Sequence, residues 1–158
     1  MTGASAVEVI PVDARGGVAR ACLDHYFDEL TARFPEGFDR ETDSATALDD
    51  YRPPAGAFLV AQISGEGVGC GALRLFSQGI GEIKRMWVAP QVRGRGVARK
   101  RLGALERAAA ERHLHTVRLD THASLAAALQ LYRTSGYQAI PRFNDNPYAH
   151  HWFEKTLD

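Results

Sequence analysis

The segment Glu82-Ile83-Lys84-Arg85-Met86-Trp87-Val88 is a strand candidate stopped by Pro90, and Gly94 and Gly96 lie between it and an amphipathic helix. Such a chain places a glycine turn where a strand passes into a helix. Glycines there let the backbone come close to a ligand, and the first N–H groups of the helix point outward without partners. With the helix dipole they make a site for a phosphate or pyrophosphate. Arg93 and Arg95 add cations that can pair with phosphate oxygens. The spacing disfavours two common nucleotide sites. No GxxxxGK[ST] occurs, and the glycines from Gly65 to Gly71 lie between hairpin strands with the wrong spacing for GxGxxG.

The rest of the chain alternates between strand and helix periods. Val7 to Val12 predicts a strand, and Val18, Leu23, Phe27 and Leu30 predict an amphipathic helix ending near Phe34-Pro35. A polar connection, Glu36 to Pro54, follows, with one helical turn expected around Ala45 to Asp50. Connections this long are uncommon unless they are functional. Ala57 to Ile63, Val68 to Phe76 and Gly81 to Val88 predict three strands, with turns at Ser64-Gly65-Glu66-Gly67 and Gln78-Gly79. A helix from about Gly94 to His113 carries the stripe Ala98, Leu102, Leu105 and Ala109. Val117 to Thr121 predicts a strand. Leu125 to Ser135 predicts a helix with Ser124 as its N-cap and Gly136 as its stop. Tyr137 to Ile140 and His151 to Leu157 predict the last strands, joined by the loop from Pro141 to Ala149. This order describes an α/β (α+β) fold, a mixed and mostly antiparallel sheet with helices on both faces. A length of 158 residues fits one domain over 1–158, with 1–6 as a flexible start.

Lys plus Arg is 19 and Asp plus Glu is 19, so the chain is neutral overall. A chain made to coat nucleic acid or an acidic membrane is usually basic. Cys22 and Cys70 are too few for a disulfide framework and read as small buried hydrophobes. The N-terminus lacks the basic and apolar regions of a signal peptide, and no apolar run approaches a membrane span. The expectation is a cytoplasmic protein. No histidine lies in HExxH or a Cys/His zinc spacing, so no metal is expected.

Gln91-x-x-Gly94-x-Gly96 after an apolar strand resembles motif A of the GCN5-related N-acetyltransferase (GNAT) family. Leu131-Tyr132-Arg133-Thr134-Ser135-Gly136-Tyr137 resembles that family's closing helix, an aliphatic-Tyr pair followed by Gly and an aromatic. Arg118-Leu119-Asp120-Thr121 fits the strand before it, and residues from about 56 to 157 match the family's element order. The resemblance implies transfer of an acetyl group from acetyl-CoA to a primary amine, by direct attack in a ternary complex. It implies that the backbone of Arg93, Gly94, Arg95, Gly96, Val97 and Ala98 cradles the pyrophosphate. Met86 and Val88, with the Trp87 backbone, would pair with the pantetheine arm like an added strand. The Val88 N–H would polarise the thioester carbonyl. Where the family often has an Asn that bonds the cofactor, this chain has Leu125, so Ser124 is the candidate replacement.

The chemistry adds its own demands. An alkylammonium has a pKa of ~10.4 and must lose a proton before it attacks. Glu82 is the candidate base, because its position resembles that of the catalytic glutamate in the family's histone-type members. A period of two puts Glu82, Lys84, Met86 and Val88 on one face. Tyr132 is the candidate acid toward the departing sulfur. The acceptor side of the fold would hold Tyr26, Phe34, Phe38, Asn146 and Tyr148, which suit a small polar molecule. Other readings stay open. Glu82 could be a salt-bridge partner of Lys84 or Arg85, and Tyr132 a packed tyrosine. The basic run Arg93 to Arg101 could be a nucleic-acid patch, or a solvated helix face at Arg99 to Arg101 with one side chain reaching the cofactor's 3′-phosphate. The chain could also be a non-catalytic acyl-CoA-binding module or a protein N-acetyltransferase. The family often dimerises, so a homodimer is a further expectation.

Overall fold

A computed structural model of the chain describes residues 6–39 and 47–157. The expected flexible start, 1–6, falls outside these residues except for Ala6, as do Ala45 and Thr46 of the expected helical turn. The elements are β1 (Glu8–Pro11), α1 (Gly17–Arg33), α2 (Ala47–Asp50), β2 (Ala57–Ile63), β3 (Glu66–Ser77), β4 (Ile80–Val88), a 3-10 turn (Pro90–Val92), α3 (Val97–Glu111), β5 (Thr116–Thr121), α4 (Ala126–Thr134), β6 (Gln138–Ala139) and β7 (His151–Thr156). None of the described helices is long and apolar enough to cross a membrane.

The strands form one sheet in the order β1-β2-β3-β4-β5-β7-β6. All neighbours are antiparallel except β4 and β5. Two tight turns set the register of the first half. Ser64 (φ 51°) and Gly65 (φ 81°) both lie in the left-handed region, the backbone of a type I′ hairpin whose twist matches the strands. Gln78-Gly79 closes the next hairpin, with Ser77 opposite Ile80.

Both faces of the sheet are covered, which is why β2 is an almost unbroken apolar run. Its Phe58 and Val60 join α1 residues Ala19, Cys22, Leu23 and Phe27 in one core cluster. Its Ala57 and Leu59 join Leu102, Leu105 and Ala109 of α3 and Leu129 and Tyr132 of α4 in the other. The inner stripe of α1 is Ala19, Leu23 and Phe27, at i, i+4 and i+8, so Val18 faces outward and is 52% exposed. The expectation that Val18 belonged to that stripe is corrected by this phase.

α3 starts at Val97 because Gly94 (φ 83°) and Gly96 (φ 78°) both adopt a left-handed backbone. A Cβ at either would meet no atom within 4 Å, so the backbone sign, rather than crowding, demands glycine. The inner side of α3 carries Val97, Arg101 and Leu105, again four apart. Arg101 is 4% exposed, which corrects the reading of Arg99 to Arg101 as a solvated face. α4 begins one residue later than expected, and its N-cap is Leu125 with no side-chain cap bond. Ser124 is therefore not the N-cap, and its buried Oγ has no hydrogen-bond partner among the described residues.

Candidate active site

β4 holds two irregularities that open the sheet. Between Cys70 opposite Trp87 and Ala72 opposite Lys84, β4 has one residue more than β3, a bulge at Arg85 (φ 59°). The bulge breaks the period of two, so Ile83 and Met86 pack with the same core cluster. Met86 is thus out of phase with Glu82, and the expected single face of Glu82, Lys84, Met86 and Val88 does not form. The second irregularity is the parallel pairing with β5, which runs from Ile80 opposite Thr116 only to Glu82 opposite Arg118. Beyond that point the two strands diverge, and the β5-facing edge of Met86 to Val88 has no strand partner.

Two adjoining cavities occupy this divergence. The larger, about 370 Å³, is lined by Met86, Trp87, Val88, Arg93, Gly94, Gly96, Val97 and Ala98, all named from the sequence as cofactor residues. Arg95 and Ser124 line neither cavity. The start of α3 has no side-chain cap among the described residues, and Val97 and Ala98 of its first turn line this cavity. The Trp87 carbonyl accepts from Arg101 Nη1 at 3.0 Å and the Val88 carbonyl from Arg93 at 3.2 Å. Two carbonyls of the segment expected to pair with pantetheine are thus engaged by arginines. Arg93 also pairs with Glu29 of α1 at 2.7 Å.

The smaller cavity, about 80 Å³, brings together Tyr26, Phe34, Phe38, Asn146 and Tyr148, the five residues expected on the acceptor side. Phe38 and Tyr148 lie with ring centroids 4.8 Å apart, and the Tyr148 hydroxyl accepts from the Asp39 N–H at 2.9 Å. Lys84, Arg85 and Asp120 give the same cavity both charge signs. Met86, Leu125, Ala128 and Tyr132 line both cavities and mark their junction. Burial pushes the Tyr132 phenol up to about 12, an effect that the nearby Arg101 partly offsets.

Glu82 lines neither cavity. It is 3% exposed, with Arg74 at 2.8 Å on Oε1 and Lys84 at 3.4 Å and Asn144 at 2.9 Å on Oε2. The carboxylate that does reach the smaller cavity is Asp120, whose oxygens accept from Asn144 Nδ2 at 2.6 Å and Asn146 Nδ2 at 3.1 Å. The sequence reading missed Asp120 as a site residue. Its signal was its place near the end of the strand just before the Tyr132 helix.

Donor atoms of Glu36, His122 and His150 also lie within 4.8 Å of one another. His122 Nδ1 accepts the Ser124 N–H and His150 Nδ1 the Ala123 N–H, both at 3.0 Å. Each ring proton therefore sits on Nε2, and His122 Nε2 donates it to Glu36 at 2.7 Å. A metal at Nε2 needs that proton gone and an acceptor, not an N–H, behind Nδ1. The trio fits a hydrogen-bonded wall better than a ligand set, and Phe34 stacks on His122 with centroids 3.9 Å apart.

Comparison with known proteins gives consistent findings. A profile of the Acetyltransferase (GNAT) family matches residues 19–137. An IAA acetyltransferase of Azospirillum brasilense is 34% identical over 116 residues, 73% of this chain and 71% of that protein. A Klebsiella pneumoniae structure assigned as an acyl-CoA N-acyltransferase superposes with TM-score 0.79 at 30% identity, covering 96% of this chain and 98% of the other. The PaiA N-acetyltransferase of Thermoplasma acidophilum, solved in complex with coenzyme A, shares the fold with TM-score 0.74 at 12% identity, over 96% and 99% of the two chains.

Proposed function

The chain belongs to the GNAT acetyltransferase family, and on that premise we propose that it transfers an acetyl group from acetyl-CoA to a primary amine of a small molecule. The observation that carries this reading is the junction of two unlike cavities at Met86, Leu125, Ala128 and Tyr132. One ends on the uncapped start of α3, which suits a pyrophosphate. The other is aromatic with a carboxylate, which suits an ammonium group.

The acceptor attacks directly while both substrates are bound. Cys22 and Cys70 line neither cavity, so no thiol is placed to carry the acetyl group. Asp120, the carboxylate that lines the acceptor cavity, holds the ammonium and accepts its proton. Glu82 is a positioning residue that holds Asp120 through Asn144. Tyr132, protonated at neutral pH, donates toward the sulfur. The Val88 N–H polarises the thioester carbonyl.

The test is a thermal shift with acetyl-CoA beside coenzyme A and ATP. One-site binding stabilises the native state by about 2.7 kcal/mol at a hundredfold excess over Kd. A shift with acetyl-CoA and little with ATP, followed by thiol release with amines, is the expected result. Binding without turnover on a broad amine panel favours an acyl-CoA-binding module, and no binding overturns the reading.

A further inference from the structure

We infer that the Arg101 guanidinium is a built-in countercharge for the thiolate that leaves when the acetyl group is transferred. The inference deepens the acetyl-transfer reading above and rests on it. Arg101 occupies the inner stripe of α3, between Val97 and Leu105, where an apolar side chain fits the helix pattern. It is 4% exposed and lines the larger cavity. Its Nη1 donates to the Trp87 carbonyl at 3.0 Å, and its buried Nε has no hydrogen-bond partner among the described residues. No carboxylate among the described residues acts on it. The titratable groups that face it are Cys70 from β3 and Tyr132 from α4, and β4 offers only a carbonyl.

The other arginines of that cavity differ. Arg33 and Arg93 pair with Glu29, and Arg99 donates to Thr134 and Ser135. Arg101 is a desolvated cation whose surroundings supply no anion, an unfavourable state unless a ligand brings one. Its position narrows where that anion arises. Arg101 lies close enough to Tyr132 for its charge to act on the phenol, and Tyr132 lines both cavities. Arg101 Nη1 reaches the Trp87 carbonyl, and both residues line the larger cavity together with Tyr132, which that cavity shares with the smaller one.

In the transfer the amine nitrogen bonds to the carbonyl carbon, the carbon–sulfur bond breaks, and sulfur keeps the electron pair. The ammonium gives one proton to Asp120 before attack, the nitrogen loses its second as the amide forms, and both pass to solvent. Arg101 meets the charge that moves onto sulfur from a fixed position, so no solvent has to reorganise. Tyr132 gives the sulfur its proton as the product leaves and regains one from solvent.

The test compares the wild type with Arg101→Met and Arg101→Lys. Calorimetric affinities for coenzyme A and for S-methyl-coenzyme A, which cannot ionise, are measured from pH 7 to 10. A cation that prefers the thiolate makes coenzyme A bind more tightly as pH rises through the free-thiol value of ~8.5. The wild type is expected to gain about tenfold for coenzyme A relative to the S-methyl compound. Arg101→Met should lose that gain and Arg101→Lys should keep most of it. Arg101→Met should also lower turnover at least about tenfold with little change in KM for acetyl-CoA. Its unliganded melting temperature should match or exceed that of the wild type, because a buried uncompensated charge has been removed. A gain that survives in Arg101→Met overturns the inference. So does a melting temperature several degrees lower in that variant, which makes the arginine a structural prop. Equal pH profiles for the two compounds on the wild type overturn this inference alone. Failure of the wild type to bind either compound overturns the acetyl-transfer reading with it.

Discussion

Asn144 joins two carboxylates, donating through one amide nitrogen to Glu82 at 2.9 Å and to Asp120 at 2.6 Å. Its own oxygen accepts from Trp152 Nε1 at 3.0 Å, so the amide is fixed in one orientation. The arrangement separates the roles of the two acids. Asp120→Asn should lower kcat by about 10²–10⁴ while the KM for acetyl-CoA holds, as steady-state rates would show. An unchanged kcat would remove Asp120 from proton transfer. Glu82→Gln should lower kcat far less but leave Arg74 and Lys84 facing a neutral amide, destabilising the fold by about 3 kcal/mol in urea unfolding. Tyr132 gives a pH prediction. Burial favours the neutral phenol, so it keeps its proton until pH approaches about 12. The kcat profile should therefore show no alkaline fall from Tyr132 below pH ~10. A limb near pH 9 that vanishes in Tyr132→Phe would contradict this.

Among the elements, the β4-to-α3 junction depends on a left-handed backbone at Gly94 and Gly96. Gly96→Ala puts a side chain at φ 78°, which costs about 1–2 kcal/mol even though nothing crowds the new Cβ. Unfolding should register that loss, and the acetyl-CoA affinity should fall with it if the N–H groups turn away. Unaltered affinity would mean that the turn does not hold the cofactor. The junction, the two hairpin turns and the order of strands were legible because glycine spacing and period are local signals. The bulge at Arg85 was not. An arginine carries no sign of a left-handed backbone, and that one residue moved Met86 out of phase with Glu82. Arg101 was hidden for a related reason. A basic run reads as solvated, and only the four-residue phase from Val97 places it inward.

At the scale of the molecule, both sheet faces are covered and the sheet parts where β4 leaves β5. Leu105, 0% exposed, sits against Gly71, where a Cβ would come within 2.6 Å of its Cδ1. Leu105→Ala should therefore destabilise by about 2–5 kcal/mol in denaturant unfolding. A loss under 1 kcal/mol would mean that α3 is not clamped to the sheet there. Of the site, the grouping of Tyr26, Phe34, Phe38, Asn146 and Tyr148 in one cavity was legible because element order brings their segments together. Asp120 and His122 were not, since their partners lie 24 or more residues away in sequence: Asn144 for Asp120 and Glu36 for His122. The two cavities also differ in what builds them. The larger is framed chiefly by β4, α3 and α4, while the smaller takes Phe34, Phe38, His122, Asn146 and Tyr148 from connections outside helices and strands. Inheritance can therefore act on the two separately. On the proposed reading, mutations in those connections would change which acceptor is taken and leave the donor half in place.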